Sequence, residues 1–125
     1  MKTVTQLLQA KGREVHTIGP DARVFEALEL MAEKDVGALV VLDGGRLSGI
    51  ISERDYARKV ILHGKSSHDI LVREIMTGNV VTVHPGQTVE ECMALMTSKR
   101  IRNLPVTDGE RLIGVLSIGD LVKEV

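Results

Sequence analysis

Gly49-Ile50-Ile51-Ser52-Glu53-Arg54-Asp55 and Gly114-Val115-Leu116-Ser117-Ile118-Gly119-Asp120 share one frame, Gly–apolar–apolar–Ser–x–x–Asp, 65 residues apart. The frame is where a strand gives way to a helix. β-branched and aliphatic residues lead to a serine, and an aspartate follows within the first helical turn. Extending the same offset outward aligns residues 15–56 on 80–121 without a gap, with 17 identities in 42 positions. The pairs include Thr17/Thr82, Pro20/Pro85, Val24/Val89, Met31/Met96, Leu39/Leu104, Asp43/Asp108 and Arg46/Arg111. A chain that carries two copies of a short unit is built from units that do not bury their apolar faces alone.

Each copy follows the same order. A short extended piece (residues 15–18; 80–83) ends at Pro20 or Pro85. A helix follows, with apolar positions Val24, Ala27, Leu28 and Met31 in one copy and Val89, Cys92, Met93 and Met96 in the other. Thr88 with Glu91 forms a capping box; Arg23 replaces the threonine in the first copy, so Asp21 is the expected cap there. Asp43-Gly44-Gly45-Arg46 and Asp108-Gly109-Glu110-Arg111 are hairpin turns. They join runs 38–42 to 47–51 and 104–107 to 112–116. A second helix opens at Ser52 or Ser117. The unit reads β-α-β-β-α, twice, with an added helix around residues 4–10. Residues 57–79 are expected to extend the first copy's last helix and link the copies, with a turn at Ser66-Ser67-His68-Asp69. The expected layout is one module over 1–125: repeat one 15–60, linker 61–79, repeat two 80–125.

Composition narrows the function classes. The 125 residues are 43% hydrophobic and 26% charged, the balance of a soluble globular domain. A single cysteine, Cys92, leaves no disulfide framework and suits a reducing, cytoplasmic setting. Its place on an apolar helix stripe reads as a buried small hydrophobe. No apolar run is long enough to span a bilayer, and the N-terminus lacks a signal-peptide block. A net charge of −1 argues against a nucleic-acid binder, and Phe25 and Tyr56 are too few for base-stacking platforms. The histidines His16, His63, His68 and His84 show no metal-ligand spacing, and no nucleophile–base pair emerges. An enzyme is therefore not expected, and no cofactor is required.

The Ser–x–x–Asp element has two physical readings. In one, Ser52 and Ser117 are N-caps and Asp55 and Asp120 complement the helix dipole. In the other, the helix start favours an anion and the aspartate accepts from a vicinal diol, as an acidic residue does for ribose in dinucleotide folds. The residues alone leave both open.

The repeated frame, the run Lys99-Arg100-Ile101-Arg102-Asn103-Leu104-Pro105-Val106 and the linker Val72-Arg73-Glu74-Ile75-Met76-Thr77 resemble the CBS-domain (cystathionine beta-synthase domain) tandem-pair family over residues 15–124. The resemblance implies an α/β (α+β) fold, with two tandem β-α-β-β-α repeats packed as one pseudo-two-fold, stand-alone module. It implies a regulatory sensor that binds an adenine nucleotide (AMP, ADP, ATP or NAD, with AMP or NAD foremost) between the repeats. Occupancy would be transmitted through a homodimer to an effector protein that the sequence does not name. One site would combine Ser52 and Asp55 with Val81, Ile101, Arg102 and Asn103. The other would combine Ser117 and Asp120 with His16, Val36, Gly37 and Ala38. Ile50 and Val115 would line the base. Arg54 and Arg102 would supply positive charge for phosphate at the first site, or lie on a solvated surface. The second has Gly37 and Gly119 at the matching positions and is expected to grip phosphate less well. The rival class is a protein-interaction or dimerisation module with vestigial pockets that regulates an enzyme or transporter.

Overall fold

Backbone freedom at two glycines starts the first hairpin. In the computed structural model, which describes residues 2–124, Gly44 and Gly45 both take positive φ, +58° and +83°. This mirror-image turn matches the twist of the strands it joins. Strand β2 (Ala38–Asp43) pairs antiparallel with β3 (Arg46–Ser52), Asp43 facing Arg46 and Ala38 facing Ser52. The second hairpin, β4 (Asn103–Asp108) with β5 (Arg111–Ser117), repeats that register: Asp108 faces Arg111 and Asn103 faces Ser117. Each strand runs slightly beyond its expected ends. Met1 and Val125, the ends of the expected module, lie outside the described residues.

The chain divides into two units. The first, His16–Val80, holds β1 (Thr17–Ile18), α2 (Val24–Lys34), the first hairpin, α3 (Glu53–Lys59), a 3-10 turn (Ile61–His63) and α4 (Val72–Ile75). Its strands lie in the order β1-β2-β3, with β1 parallel to β2. Val24, Ala27, Met31, Leu39, Val41, Ile51, Val60, Ile70, Val72 and Ile75 form its core. The second unit joins Met1–Val15 to Val81–Val125 and holds α1 (Val4–Lys11), α5 (Val89–Lys99), the second hairpin and α6 (Ile118–Val122). Its core takes Val4, Leu7 and Leu8 from α1 alongside Val83, Val89, Cys92, Met96, Leu104, Val106, Leu116 and Leu121.

Helices α1 and α4 therefore play the same part, one in each unit. Thr3 bridges Thr88 as Leu71 bridges Arg23. Val4 N donates to Gln87 O and Thr5 N to Pro85 O, while Val72 N donates to Ala22 O and Arg73 N to Pro20 O. Leu8 and Met76 then press on the glycines that open the Gly–apolar–apolar–Ser frame. A Cβ at Gly114 would stand 2.7 Å from Leu8 Cδ2; one at Gly49 would stand 2.6 Å from Met76 Sδ and 2.9 Å from the Thr77 carbonyl oxygen. The frame's glycine is there because a helix from outside the alignable repeat passes over it.

Four local expectations are corrected. The second copy's first strand shrinks to one bridge, Val83 to Val106. In the first unit Val40 N donates to His16 O; Pro105, which aligns with Val40, has no N–H to give, so pairing begins only where Val83 N reaches Pro105 O. Asp21 does not cap α2: it pairs with Arg73, and the Glu26 carboxylate accepts from Arg23 N instead. Thr88 Oγ1 does accept from Glu91 N, but the Glu91 carboxylate accepts from the Thr88 hydroxyl and Gln87 rather than closing the box. Finally, α3 stops at Lys59. Val60 turns into the core, and α4 begins at Val72, after the expected turn at Ser66–Asp69.

Two outcomes are expected. Gly49→Ala meets a backbone oxygen as well as a side chain, whereas Gly114→Ala meets only the tip of a leucine. Urea unfolding will show Gly49→Ala as the costlier, by about 1–3 kcal/mol. Cys92 is fully buried, and burial, with Glu91 adding to it, pushes its thiol up to about 11. At pH 8 a chromogenic disulfide reagent will label Cys92 in denaturant and leave the native chain unlabelled over the same interval.

Candidate functional site

Each serine of the repeated frame ends a strand in extended conformation (Ser52 φ −129°, Ser117 φ −101°) and starts a helix with its side chain. Ser52 Oγ accepts from Asp55 N at 3.1 Å, and Asp55 Oδ2 accepts from Ser52 N and from the Ser52 hydroxyl, both at 3.0 Å. The second unit repeats this with 3.2 Å for Asp120 N to Ser117 Oγ. Asp120 Oδ2 accepts from Ser117 N at 2.7 Å and from the Ser117 hydroxyl at 3.0 Å. These are reciprocal capping boxes in which aspartate takes the place of glutamate. The N-cap reading of both serines is realised, and the same bonds hold each carboxylate in a fixed, half-buried position.

The hairpin register assembles neighbours around each box. In the first unit Ala38 faces Ser52, Glu53 N donates to Gly37 O at 3.0 Å, and Ile50 faces Val40, whose N–H reaches His16 O. Val36 packs against the core beside them. Thus His16, Val36, Gly37, Ala38, Ile50, Ser52 and Asp55 gather at one end of the hairpin, while Arg54 is exposed on α3. In the second unit Asn103 faces Ser117, Val115 faces Pro105, and Ile118 N donates to Arg102 O at 2.8 Å. Val81 and Ile101 pack against that unit's core, and Arg102 is exposed.

A cation stands beside each carboxylate, and neither was among the expected site residues. Lys59 Nζ lies 3.1 Å from Asp55 Oδ1, one helical turn on, and also donates to Ile75 O at 2.8 Å. Lys11, the last residue of α1, donates to Asp120 Oδ2 and to Val115 O, each at 2.6 Å. The second unit, expected to lack the arginines placed for phosphate at the first site, thus has a lysine beside its carboxylate. Burial on its own raises the Asp120 carboxyl, but the hydrogen bonds from Lys11 and Ser117 and the Lys11 charge outweigh it. They hold the carboxyl below its ordinary range.

The helix that carries Lys11 has its counterpart in the other unit at a different spacing. Residues 3–8 correspond to 71–76 at an offset of 68, not 65, and only Val4/Val72 are identical. Among the described residues, no group of three His, Cys, Asp or Glu side chains is placed to hold a metal ion. Among these residues, too, no helix is long and apolar enough to cross a membrane.

The comparisons with known proteins agree with this fold. The CBS domain profile matches twice, over residues 11–62 and 72–125. A solved protein with CBS domains from Burkholderia ambifaria is 53% identical and superposes with a TM-score of 0.96, covering 98% of this chain and 93% of that one. The mitochondrial CBS domain-containing protein CBSX3 of Arabidopsis thaliana is 40% identical over 98% of this chain, which spans only 64% of that relative's length. The CBS domain pair of MJ0100, solved in complex with 5′-methylthioadenosine and S-adenosyl-L-methionine, is 26% identical with a TM-score of 0.88, covering 99% and 95% of the two chains. With two family matches that together take in most of its length, and with two β-hairpin units of the same design, the chain belongs to the CBS-domain family as a tandem pair.

Proposed function

We propose that this CBS pair is a regulatory module whose ligand is an adenine nucleotide (AMP, ADP, ATP or NAD), bound by residues of both repeats. The observation that carries the reading is the duplicated Ser–x–x–Asp box, in which two serine donors aim a half-buried carboxylate. A carboxylate so held offers its remaining lone pairs to a ribose diol without reorganising, which lowers the ordering cost of binding. The MJ0100 pair, solved with two adenosine-containing ligands, supports the ligand class. One site would use Ser52, Arg54 and Asp55 with Val81, Ile101, Arg102 and Asn103; the other would use Ser117 and Asp120 with His16, Val36, Gly37 and Ala38. Ile50 and Val115 would flank the base.

A second reading, a protein-interaction module, draws on a specific observation. Ile61 and Leu62 in the first unit are 55% and 77% exposed, and Val122 in the second is 57% exposed. Such side chains suit a partner surface. The two readings separate on the purified protein: a 260 nm-absorbing ligand carried through purification favours the sensor, and a chain free of nucleotide favours the interaction module.

The sensor reading has two expected outcomes. AMP or NAD at about 100 times its dissociation constant adds about 2.7 kcal/mol to stability and raises the melting temperature at roughly 3–6 °C per kcal/mol. GMP at the same concentration leaves it unchanged; equal shifts with GMP remove the adenine assignment. In calorimetric titration Asp55→Ala weakens the tighter site at least about tenfold, because each bond to a charged acceptor is worth roughly 1.5–3 kcal/mol. Asp120→Ala costs the first-bound ligand less, and the reverse order would reassign the stronger site. The dimer through which occupancy is transmitted is tested by sedimentation: a species of 13.6 kDa at tens of micromolar refutes it.

A further inference from the structure

We propose that Lys11 is a built-in occupant of the second unit's ligand site, a tethered ammonium with which a neutral adenine nucleoside competes for Asp120 Oδ2 and the Val115 carbonyl. The inference rests on the nucleotide-binding reading above and concerns the regulation of that same site.

Three observations carry it. First, the Lys11 bond is not needed for the cap. Ser52 and Asp55 close the same reciprocal box with Oδ2 accepting from two serine donors alone, while Lys59 sits on the other oxygen. At Asp120 the box is equally complete, and Lys11 adds a third donor to that same Oδ2. Lys11 takes the room that the two serine donors leave on Oδ2, so a vicinal diol reaching for both carboxylate oxygens finds only Oδ1 open while the ammonium stays.

Second, Lys11 spans the two groups that the ligand would meet. Its other acceptor is the carbonyl of Val115, the residue placed to line the base. In the first unit the matching carbonyl, Ile50 O, is taken at 2.8 Å by the Thr77 N–H, and Thr77 O accepts from Ile50 N at 3.0 Å. There the acceptor is closed by backbone that cannot leave without unpairing a bridge. In the second unit it is closed by a side chain that can.

Third, the lysine is mounted to move. It ends α1, its side chain remains 36% exposed, and the chain turns away at Gly12 with φ +100°. A long flexible stem exchanges its ammonium between protein acceptors and water by rotamer changes alone. The ion pair is partly solvated, so it is a weak, displaceable competitor rather than a fixed block.

The consequence is selectivity between ligands of one class. Neutral adenosine gives nothing back for the displaced ammonium. A nucleotide brings a phosphate that the freed Lys11 pairs with in turn. The site therefore discriminates against the nucleoside through an internal competitor.

The test is calorimetric titration, fitted to two sites, of adenosine and of AMP into chains carrying Asp55→Ala, which weakens the other site so that the Asp120 site is resolved. Circular dichroism melting confirms that each variant folds. Lys11→Met, which keeps the apolar stem, is expected to tighten adenosine about fivefold, the upper end for a partly exposed ion pair. Lys11→Arg keeps the charge and is expected to leave adenosine as weak as in the parent. Raising salt from about 50 to 500 mM should tighten adenosine in the parent and not in Lys11→Met, because screening weakens only the internal pair. Equal adenosine affinity in parent and Lys11→Met overturns the inference while the nucleotide reading stands. Weaker adenosine binding in Lys11→Met makes Lys11 a ligand contact and also overturns it. No binding of either compound to any variant or to the unmutated chain overturns the nucleotide reading, and this inference with it.

Discussion

A two-stranded hairpin has two faces, and the helix that follows it in the repeat is too short to cover either. The structure depends on how that shortage is met. Helix α6 is five residues long and contributes one buried side chain, Leu121. What completes the second core is α1, from the far end of the chain, whose Val4, Leu7 and Leu8 are all buried. Leu8 reaches the sheet only because residue 114 has no Cβ. The first unit meets the same need with Val72, Ile75 and Met76, the last against Gly49. Burying three aliphatic side chains is worth roughly 1.5–3 kcal/mol each, a large share of the margin on which a small fold stands. The covering helix is thus part of the unit, although it lies outside the stretch that aligns.

This constraint explains what was legible in the chain and what was not. Hairpins and long helices were readable because their signals are local. Asp-Gly turns fix the register, and the stripes Val24–Ala27–Met31 and Val89–Cys92–Met96 are buried as their spacing requires. The covering helices were seen as an extra helix and a linker, because their correspondence survives in backbone hydrogen bonds rather than in residue identity. Val4 N to Gln87 O and Val72 N to Ala22 O are the same bond, made by segments that share one residue. Apolar bulk at positions 4, 7 and 8 suffices for packing, so the sequences were free to drift apart. Lys11 was missed for that reason: nothing local to the Ser–x–x–Asp frame announces a side chain that arrives from over a hundred residues away.

Pro105 shows the complementary failure, in which a local rule applied to the wrong partner. Read within its own run, a proline in an otherwise β-rich stretch belongs on an edge. Its effect, however, falls on the residues beside it in space. By lacking the N–H that Val40 gives to His16 O, it shortens the segment before α5 to the single bridge at Val83. The two copies consequently differ where residues 16 and 81 enter, even though the residues around them align. Asymmetry between the units was expected from Arg54 against Gly119. It extends to the backbone itself.

The capping box sets the terms on which such asymmetry acts. A carboxylate oxygen has few lone pairs, and in both units two of the donors on Oδ2 come from the serine that starts the helix. The cap is therefore not an alternative to a binding role; it decides how much acceptor capacity is left over and in which direction it points. At Asp55 the third donor, Lys59, comes from the same helix and settles on the opposite oxygen, where it braces α3 to the carbonyl of Ile75. At Asp120 the third donor comes from the covering helix and settles on the oxygen already shared. Position 59 aligns with Glu124, which pairs instead with Lys2, so the lysine that braces one copy has no counterpart in the other. Duplication preserved the box, because a helix start needs it. The third donor was left free to differ, and with it the acceptor capacity left on the boxed carboxylate of each copy.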